Sequence, residues 1–272
     1  MKRLWQDLKY AGRGMRRSPA FSTTIVLTLA LVIGATTAVF SVVNAVLLQS
    51  LPYHEPQRLV MAYESIPGAS ATPWGFSPPD YLAFAERASF FESVAAFRNR
   101  EYELSGVEPP ERIVAARVSA SLFQTLGVAP AIGTAFTRED DEGARPVAVI
   151  SDALWVRKFG RDPAAIGRAI SLDRRPYTIV GIMPKTFTFP NRGPHMNNKP
   201  ADVYLPISFT PRERGGFGSM YNNTVVARLK PGVTPAQANA EAAALVRANA
   251  VEMYPADLSG LAQELTSTAV PL

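Results

Sequence analysis

Carboxylates at short spacings are the residues of this sequence best suited to acid–base chemistry. Asp80 and Glu86 form one such pair, and Glu101 and Glu103 form a second. Hydrolysis of a glycosidic bond, for example, requires two carboxyl groups that flank the bond to be cleaved. Acids that are merely close in the sequence are usually solvated, so neither pair alone predicts a hydrolytic site.

Metal and thiol chemistry has little support in the composition. The 272 residues include no cysteine and only two histidines, His54 and His195, and no ligand motif surrounds either histidine. The acidic run at residues 138–142 lacks the spacing of an EF-hand loop, so we expect a solvated surface loop there and not a calcium site. The sequence therefore predicts no metal site and no disulfide.

Motifs for nucleotide binding and nucleophilic catalysis are missing as well. No GxxxxGKS or GxxxxGKT phosphate loop occurs, and Gly12-Arg13-Gly14 does not continue into a dinucleotide fingerprint. No GxSxG nucleophile elbow occurs either. We therefore predict a protein that is not an enzyme, with no catalytic residue and no cofactor.

Three aromatic residues are candidates for a binding surface: Trp74, Trp155 and Phe217. Trp155 lies on the apolar side of a predicted helix, which favours a place in the core. Trp74 lies in a loop flanked by proline, and surface loops often carry binding residues. Of the three, Trp74 is the better candidate for an exposed contact.

The element that positions the rest of the chain is an uncharged stretch at residues 21–48. It contains no proline and a single amide, Asn44. Because about 20 apolar residues in a helix cross a hydrocarbon core of about 30 Å, this stretch predicts a transmembrane helix. A cleaved signal peptide is the alternative, but its apolar region is usually only about 7–15 residues long. The length favours an uncleaved signal anchor.

The segment before this stretch, residues 1–20, carries six basic residues and one acidic residue. The other 22 basic and 22 acidic residues balance, so this segment accounts for the net charge of +5. A basic cluster beside a membrane span stays cytoplasmic, which predicts export of the C-terminal part and no nucleic-acid partner. Trp5 and Leu8, among basic residues that include Arg16 and Arg17, predict an amphipathic helix on the membrane lipid. It serves either as an anchor or as a contact for a cytoplasmic partner.

Small residues recur along one side of the predicted span. Ala30, Gly34 and Ala38 are four residues apart, and Ser41 continues the same side. Small residues at this spacing allow a second membrane helix to approach closely. They are also common in membrane helices in general, so the pattern is open to both interpretations.

The exported part has short strands and helices that predict an α+β fold. We expect strands at residues 58–64, 94–97, 101–104, 111–118, 146–150, 168–172, 177–183, 203–206, 224–229 and 265–270. We expect helices from Ser77 to about Phe91, at 119–126, from Ser151 to Phe159 and from Thr234 to about Tyr254, each with capping residues. We interpret the first strand–helix unit and residues 224–270 as two halves of one subdomain. A middle segment, at about 94–210, interrupts it.

Several stretches together resemble MacB-type ABC transporter permeases, and most of all the duplicated orphan permeases of the ADOP type. LWQDLKYAGRGMRRSPAFS at residues 4–22 and the following membrane stretch are similar to the start of such permeases. SLFQTLGVAPAIGTAFTREDD, PVAVISDALWVRKFG and DPAAIGRAISLDRRPYTIVGIMP resemble the MacB-like periplasmic core domain in the same order. The likeness covers nearly the whole chain.

The resemblance implies a fold and a mechanism. It implies one N-terminal membrane helix and a periplasmic core domain at 49–272, with Porter-like halves at about 52–93 and 211–272 and a Sabre-like insertion at about 94–210. It implies a bacterial inner-membrane protein whose N-terminus is cytoplasmic. Its implied partners are an ABC ATPase subunit and other permease helices or a second permease copy. The ATPase moves the permease helices, which pass that movement to the periplasm for efflux or export.

The sequence also departs from the family pattern. Thr134 follows Gly133 where an arginine is usual, and Asp173-Arg174 occupies a hairpin turn where Asn-Gly or Asp-Gly is usual. Family members have three further membrane helices after this domain, so we expect a fragment, a truncated reading frame or a split subunit. A signal-anchored periplasmic interaction domain and a periplasmic hydrolase are the alternative functions. The sequence does not specify a transported substrate.

Overall fold

The computed structural model describes residues 19–43, 52–68, 72–190 and 199–272. The chain divides into two compact units, Met1–Leu51 and Pro52–Leu272, which are described separately. The predicted tail residues Trp5, Leu8, Arg16 and Arg17 lie outside the described residues.

The first unit contains helix α1, Pro19–Val43. Its segment Thr23–Phe40 is long and apolar enough to cross a membrane, and every side chain in that segment is exposed. The hydroxyls of Thr24, Thr28 and Thr36 donate to backbone carbonyls four residues earlier. Polar side chains thus find partners within the helix, as a lipid environment requires. The helix agrees with the predicted span, of which residues 44–48 lie outside the described part.

The second unit alternates strands and helices. Its strands are β1 Leu59–Ser65, β2 Phe91–Ser105, β3 Glu111–Val118, β4 Ile132–Gly133, β5 Val147–Ile150, β6 Ala169–Leu172, β7 Arg175–Ile182, β8 Val203–Pro206, β9 Thr224–Leu229 and β10 Thr266–Pro271. Its helices are α2 Pro78–Arg87, α3 Leu122–Leu126, α4 Arg138–Glu142, α5 Asp152–Phe159, α6 Pro211–Arg214, α7 Pro235–Met253 and α8 Ser259–Glu264. Short 3₁₀ turns occur at Pro56–Arg58, Pro163–Ala165 and Ala256–Leu258. This mixture confirms the predicted α+β class.

All ten strands belong to one sheet. The strand order is β10-β1-β9-β2-β3-β8-β5-β7-β4, and β6 pairs with β2 and β7. Most neighbours are antiparallel, whereas β3 with β8 and β5 with β7 are parallel. Strands β1 and β9, which are far apart in sequence, lie side by side near one edge.

The long strand β2 corrects the prediction of two short strands at 94–97 and 101–104. Its 15 residues continue through the polar sequence Arg98-Asn99-Arg100 because β3 pairs with each of these positions. The first part of β2 pairs with β9 and the second with β3, with Phe97 as the position common to both. Pairing with β3 thus outweighs the low strand preference of the polar residues.

Among the described residues, two of the hydrophobic clusters that pack against this sheet occupy its two ends. The first draws its buried residues from positions 60–96 and 207–269, and α2 and α7 contribute to it. The second draws its buried residues from positions 102–205 and includes α5. Because β2 contributes to both clusters, one continuous strand connects them. The predicted division into Porter-like and Sabre-like parts stays a prediction.

Capping residues set four helix ends as predicted, whereas the predicted helix at 119–126 begins only at Leu122. Ser77 accepts a hydrogen bond from the Asp80 backbone at the start of α2, and Thr234 forms a capping box with Gln237 at the start of α7. Gly127 and Gly160 end α3 and α5 in the left-handed region, where glycine is favoured.

Two local predictions need correction, and one turn keeps its usual conformation with unusual residues. Residues 138–142 form the one-turn helix α4 and not a loop, because Thr137 and Asp140 form a capping box. Helix α2 ends at Arg87 and not near Phe91, since the following residues enter β2. The β6–β7 turn has positive φ at Asp173 (48°) and Arg174 (67°), so it adopts the type I′ region without the usual glycine.

Candidate functional site

The predicted helix-packing residues lie on α1. Ala30, Gly34 and Ala38 are exposed, and a Cβ added at Gly34 would meet no atom within 4 Å. Ser41 belongs to α1, but its side chain lies outside the described part. The helix therefore offers an open strip of small residues to a neighbour.

A buried arginine on β9 holds the segment that follows α1 in sequence. Arg228 is 3% exposed and lies on the opposite face of β9 from Val225, Ala227 and Leu229, which belong to the first cluster. Its Nη2 donates to the carbonyl of His54 at 2.7 Å, and its Nε donates to the carbonyl of Thr125 at 2.9 Å. One guanidinium thereby joins residues 52–58, which we call the connector, to helix α3 and strand β9.

Further contacts fix the same connector. The His54 backbone N–H donates to the carbonyl of Leu126 at 3.3 Å, and the Tyr53 hydroxyl donates to the carbonyl of Thr188 at 2.6 Å. A Cβ at Gly127 would lie 2.5 Å from the His54 Cβ, so glycine is required there for close approach as well as for its φ of 69°. We call residues 53–58 together with Arg228 the connector clamp.

Arg58 completes the connector clamp at its C-terminal end. Its guanidinium bonds Glu55 at 2.5 Å, Glu92 and the carbonyl of Leu229. The hydrogen bonds to Glu55 and Glu92 favour the charged form of Arg58 and raise its pKa despite partial desolvation. Burial and the nearby Arg58 charge lower the pKa of Arg228.

A groove of about 820 Å³ forms the second candidate site. Side chains from residues 81–86, 119–124, 136–142 and 207–214, together with Val94, line this groove, which we call the α2–α4 groove. Ser121 and Gln124 line it beside α3, while the carbonyls of Thr125 and Leu126 at the other end of α3 bind the connector. One short helix therefore contacts both the groove and the connector clamp.

A pair of buried carboxyls forms the third feature. Glu64 is fully buried on the cluster side of β1, and neither of its carboxyl oxygens has a hydrogen-bond partner among the described residues. Its neighbour directly across in β10 is Ser267, whose hydroxyl is likewise unpartnered there. Burial, and next the charge of Asp80, raise the pKa of Glu64 well above its usual value. Burial thus favours the neutral form of Glu64.

Two tyrosines extend this buried pair toward the surface. Asp80 accepts hydrogen bonds from the Ser77 hydroxyl and, at 2.7 Å, from the Tyr254 hydroxyl. The hydroxyls of Tyr254 and Tyr221 are 3.0 Å apart. Burial raises the pKa of Asp80 and of both tyrosines. The network joins the start of α2 to the end of α7.

The predicted carboxylate pairs do not converge on a common site. Asp80 is buried and bonded to Tyr254, whereas Glu86, on the same helix, is exposed at the α2–α4 groove. Glu101 lies 3.1 Å from Lys199, and Glu103 is exposed on the same strand. These positions do not place two acids across one bond.

The aromatic candidates occupy three different surroundings. Trp155 is 9% exposed and belongs to the second cluster, which confirms its core position. Trp74 is half-buried, with its ring 5.4 Å from Tyr221, and Phe217 packs against the first cluster. Trp155 is thus separate from the other two, whereas Tyr221 and Tyr254 lie between Trp74 and Phe217.

Sequence reasoning missed Arg228 and Glu64. Each lies in a strand whose other residues are largely apolar, and each side chain is buried. A charged residue within an apolar strand could have indicated a buried polar contact in the sequence, because a buried charge needs a specific partner.

Part of α1 and most of the second unit, as far as residue 245, match a described family. The model of the MacB-like periplasmic core domain matches residues 22–245. The macrolide export ATP-binding/permease protein MacB of Burkholderia cenocepacia (strain HI2424) is 27% identical over 164 residues, 59% of this chain and 22% of that protein. The matched part of this chain thus spans less than a quarter of that relative.

Solved structures agree at the level of the fold. The periplasmic region of MacB from Actinobacillus actinomycetemcomitans has a TM-score of 0.54 at 13% identity, covering 78% of this chain and 89% of that chain. The extracellular domain of the noncanonic ABC-type transporter YknZ from Gram-positive bacteria has a TM-score of 0.55 at 14% identity, covering 78% and 99%. These likenesses show a shared fold.

Replacing Arg228 tests the connector clamp. Arg228→Met leaves the carbonyls of His54 and Thr125 without their donor. Each buried carbonyl left unsatisfied costs about 1–3 kcal/mol of folding free energy. We expect faster hydrogen exchange at residues 53–58, measured by mass spectrometry. Arg212→Met, an exposed change on α6, is the matched control. Unchanged exchange in Arg228→Met would show that the connector is held without this side chain.

Replacing Glu64 tests the buried carboxyl. Because its pKa is raised in the folded protein, Glu64 binds more protons there than in the unfolded chain. Stability should thus fall as pH rises from about 4.5 toward the raised pKa, by up to about 1.4 kcal/mol per pH unit for one proton. Glu64→Gln should flatten this decline in urea unfolding between pH 5 and 8. Glu103→Gln, an exposed control, should show the same decline of unfolding free energy with pH as the wild type. If the wild type and both variants show the same decline, the raised pKa of Glu64 is refuted.

Proposed function

The chain belongs to the family of MacB-like periplasmic core domains, and we propose that it is a permease subunit, or part of one, of a MacB-type ABC transporter. In this role it couples the movement of a cytoplasmic ATPase to efflux or export work outside the membrane. The observation that carries the proposal is the connector clamp, which fixes the segment after α1 to the sheet through Arg228.

We place the chain in the bacterial inner membrane with its N-terminus in the cytoplasm. The excess of basic residues in positions 1–20 supports this orientation, since such segments resist translocation. The apolar helix α1 supports the membrane anchor. The second unit then lies in the periplasm, as the family description implies.

The connector clamp provides the physical basis for coupling. A displacement of α1 reaches the second unit through residues 52–58. Because the carbonyls of His54 and Thr125 share the guanidinium of Arg228, a pull on the connector acts on α3 and β9 together. Hydrogen bonds from a charged donor are stronger than neutral ones, so the clamp is suited to carry such a load.

Two sets of residues are assigned to partners. Ala30, Gly34, Ala38 and Ser41 pack against other permease helices or a second permease copy. The tail residues Trp5, Leu8, Arg16 and Arg17 contact the ABC ATPase or the lipid headgroups. Open space around Gly34 supports the first assignment, and the mixture of aromatic and basic residues supports the second.

We further propose that the second unit has Porter-like halves at about 52–93 and 211–272 and a Sabre-like insertion at about 94–210. The membership of the two hydrophobic clusters supports this division, since the first uses residues from both ends and the second uses the middle. Strand β2 then joins the two parts as a continuous element.

Replacing Gly34 tests the assembly. Gly34→Leu adds a large side chain to the small-residue strip, and we expect recovery of co-purifying permease segments and ABC ATPase to fall about fivefold, the equivalent of ~1 kcal/mol. The measurement is quantitative mass spectrometry of complexes isolated from detergent-solubilised native membranes. Val32→Leu, on another side of α1, is the control. Equal recovery from both variants would refute the packing role, and absence of any ABC ATPase from the wild type would refute the coupling function.

A further inference from the structure

Buried oxygens without hydrogen-bond partners collect near the end of strand β1. Glu64 alternates with Val60 and Ala62, which belong to the first cluster, so its carboxyl projects from the same face of the sheet. Ser267 lies directly across in β10 and projects from that face beside Glu64. Both carboxyl oxygens of Glu64 and the hydroxyl of Ser267 are buried and lack a hydrogen-bond partner among the described residues.

An amide oxygen lies on the same face. Asn223 is fully buried and lies across from Phe76, a member of the first cluster. Its Nδ2 donates to the Phe76 carbonyl at 2.9 Å, whereas its Oδ1 has no partner in the part of the chain that the structure describes. This oxygen is therefore available to a ligand that accepts no hydrogen bond.

A second buried acid lies at the start of α2. Asp80 is 3% exposed, and its charge acts on Glu64. The charges of both acids also act on the Tyr221 hydroxyl, which lies 3.0 Å from the Tyr254 hydroxyl. Since Tyr254 in turn donates to Asp80 at 2.7 Å, these groups share one buried region between the sheet and the two helices α2 and α7.

This region contains two acids and no basic partner. Within the described ranges, no lysine, arginine or histidine nitrogen lies within 4.0 Å of a carboxylate oxygen of Glu64 or Asp80. The Ser77 backbone acts on Glu64 in the direction of the charged form, but less strongly than burial acts against it. Two such acids are stable either as neutral groups or with a cation beside them.

The ligand atoms indicate the kind of cation. They are carboxylate, amide and hydroxyl oxygens, which hard cations prefer. Ca²⁺ accepts about six to eight oxygens in a flexible geometry, whereas Mg²⁺ requires a nearly ideal octahedron and retains several waters. The described residues contain no group of three or more acidic, histidine or cysteine side chains suited to a metal, so neutral oxygens have to complete the set.

From the unpartnered oxygens on one buried face and the two acids without a basic partner, we propose that this region binds one Ca²⁺ ion. We call its ligand residues the β1 oxygen cluster: Glu64, Asp80, Asn223 and Ser267. The two acids match the charge of the ion, and the other two residues supply neutral oxygens. The ion links β1 to β10 and to the start of α2. This inference goes beyond the proposed function and does not depend on it.

Luminescence of Tb³⁺, a substitute for Ca²⁺, tests the proposal. The full chain in non-ionic detergent is freed of metal with a chelator and titrated with Tb³⁺ under tryptophan excitation. We expect saturation at about one ion per chain and displacement by Ca²⁺ at lower concentrations than by Mg²⁺. Trp74 pairs with Glu64 through its backbone. Trp74→Phe should therefore lower the Tb³⁺ emission and leave the affinity for Ca²⁺ unchanged.

Variants locate the ion. Glu64→Gln keeps the shape of the side chain but removes its charge, and it should weaken Tb³⁺ binding at least about tenfold. Ser267→Ala removes a neutral oxygen and should weaken binding by a smaller factor. Glu139→Gln, an exposed change in the acidic helix α4, is the matched control and should bind as the wild type does.

Thermal unfolding provides a second measurement. Burial raises the pKa of both acids, so Ca²⁺ has to displace protons from them, and the ion should raise the unfolding temperature more at about pH 8 than at about pH 5. Tyr221 and Tyr254, which face the acids, keep their protons over this range because burial raises their pKa as well. Glu64→Gln should remove most of the Ca²⁺ effect.

Three results would overturn the proposal. These are the absence of saturable Tb³⁺ binding, loss of binding in Glu139→Gln, and unchanged affinity in Glu64→Gln when this variant unfolds cooperatively on heating. The first would show that the two acids remain neutral in the folded protein. Each leaves the transporter role untouched, because co-purification of an ABC ATPase is a separate measurement.

Discussion

The hydrogen bonds of the buried Arg228 guanidinium are the interaction on which the described connector depends. They join the carbonyl of His54, before β1, to the carbonyl of Thr125 on α3, and they originate from β9, near one edge of the sheet. A buried charge is costly unless several acceptors surround it, so the arginine and the carbonyls hold one another in place. The connector is thereby part of the second unit and not a free linker.

Arg228 attaches the connector to a single continuous sheet. Strand β2 pairs with β9, which carries Arg228, and then with β3. The connector is therefore joined, through β9, to a continuous hydrogen-bonded ladder that reaches both hydrophobic clusters. Helix α3 adds a second route, since its carbonyls bind the connector while Gln124 lines the α2–α4 groove. The groove and the connector thus share one neighbouring helix.

Buried polar groups occur where the elements meet. Arg228 has acceptors for its hydrogen bonds, whereas burial and the charge of Asp80 favour the neutral form of Glu64. The Tyr254 hydroxyl connects α7 to α2 through Asp80. A network of this kind constrains how elements pack more narrowly than apolar contacts do, because hydrogen bonds have direction.

Local patterns in the sequence determined the span, the α+β class and most helix ends, since a capping box such as Thr234 with Gln237 depends on neighbouring residues alone. Stretches of family likeness added the fold type. Tertiary structure alone decided that β2 is one strand, because its polar centre is stable only where β3 lies beside it. It also decided that Arg228 meets His54 and that Asp141 and Glu86 line one groove, since residues far apart in sequence carry no local signal of contact.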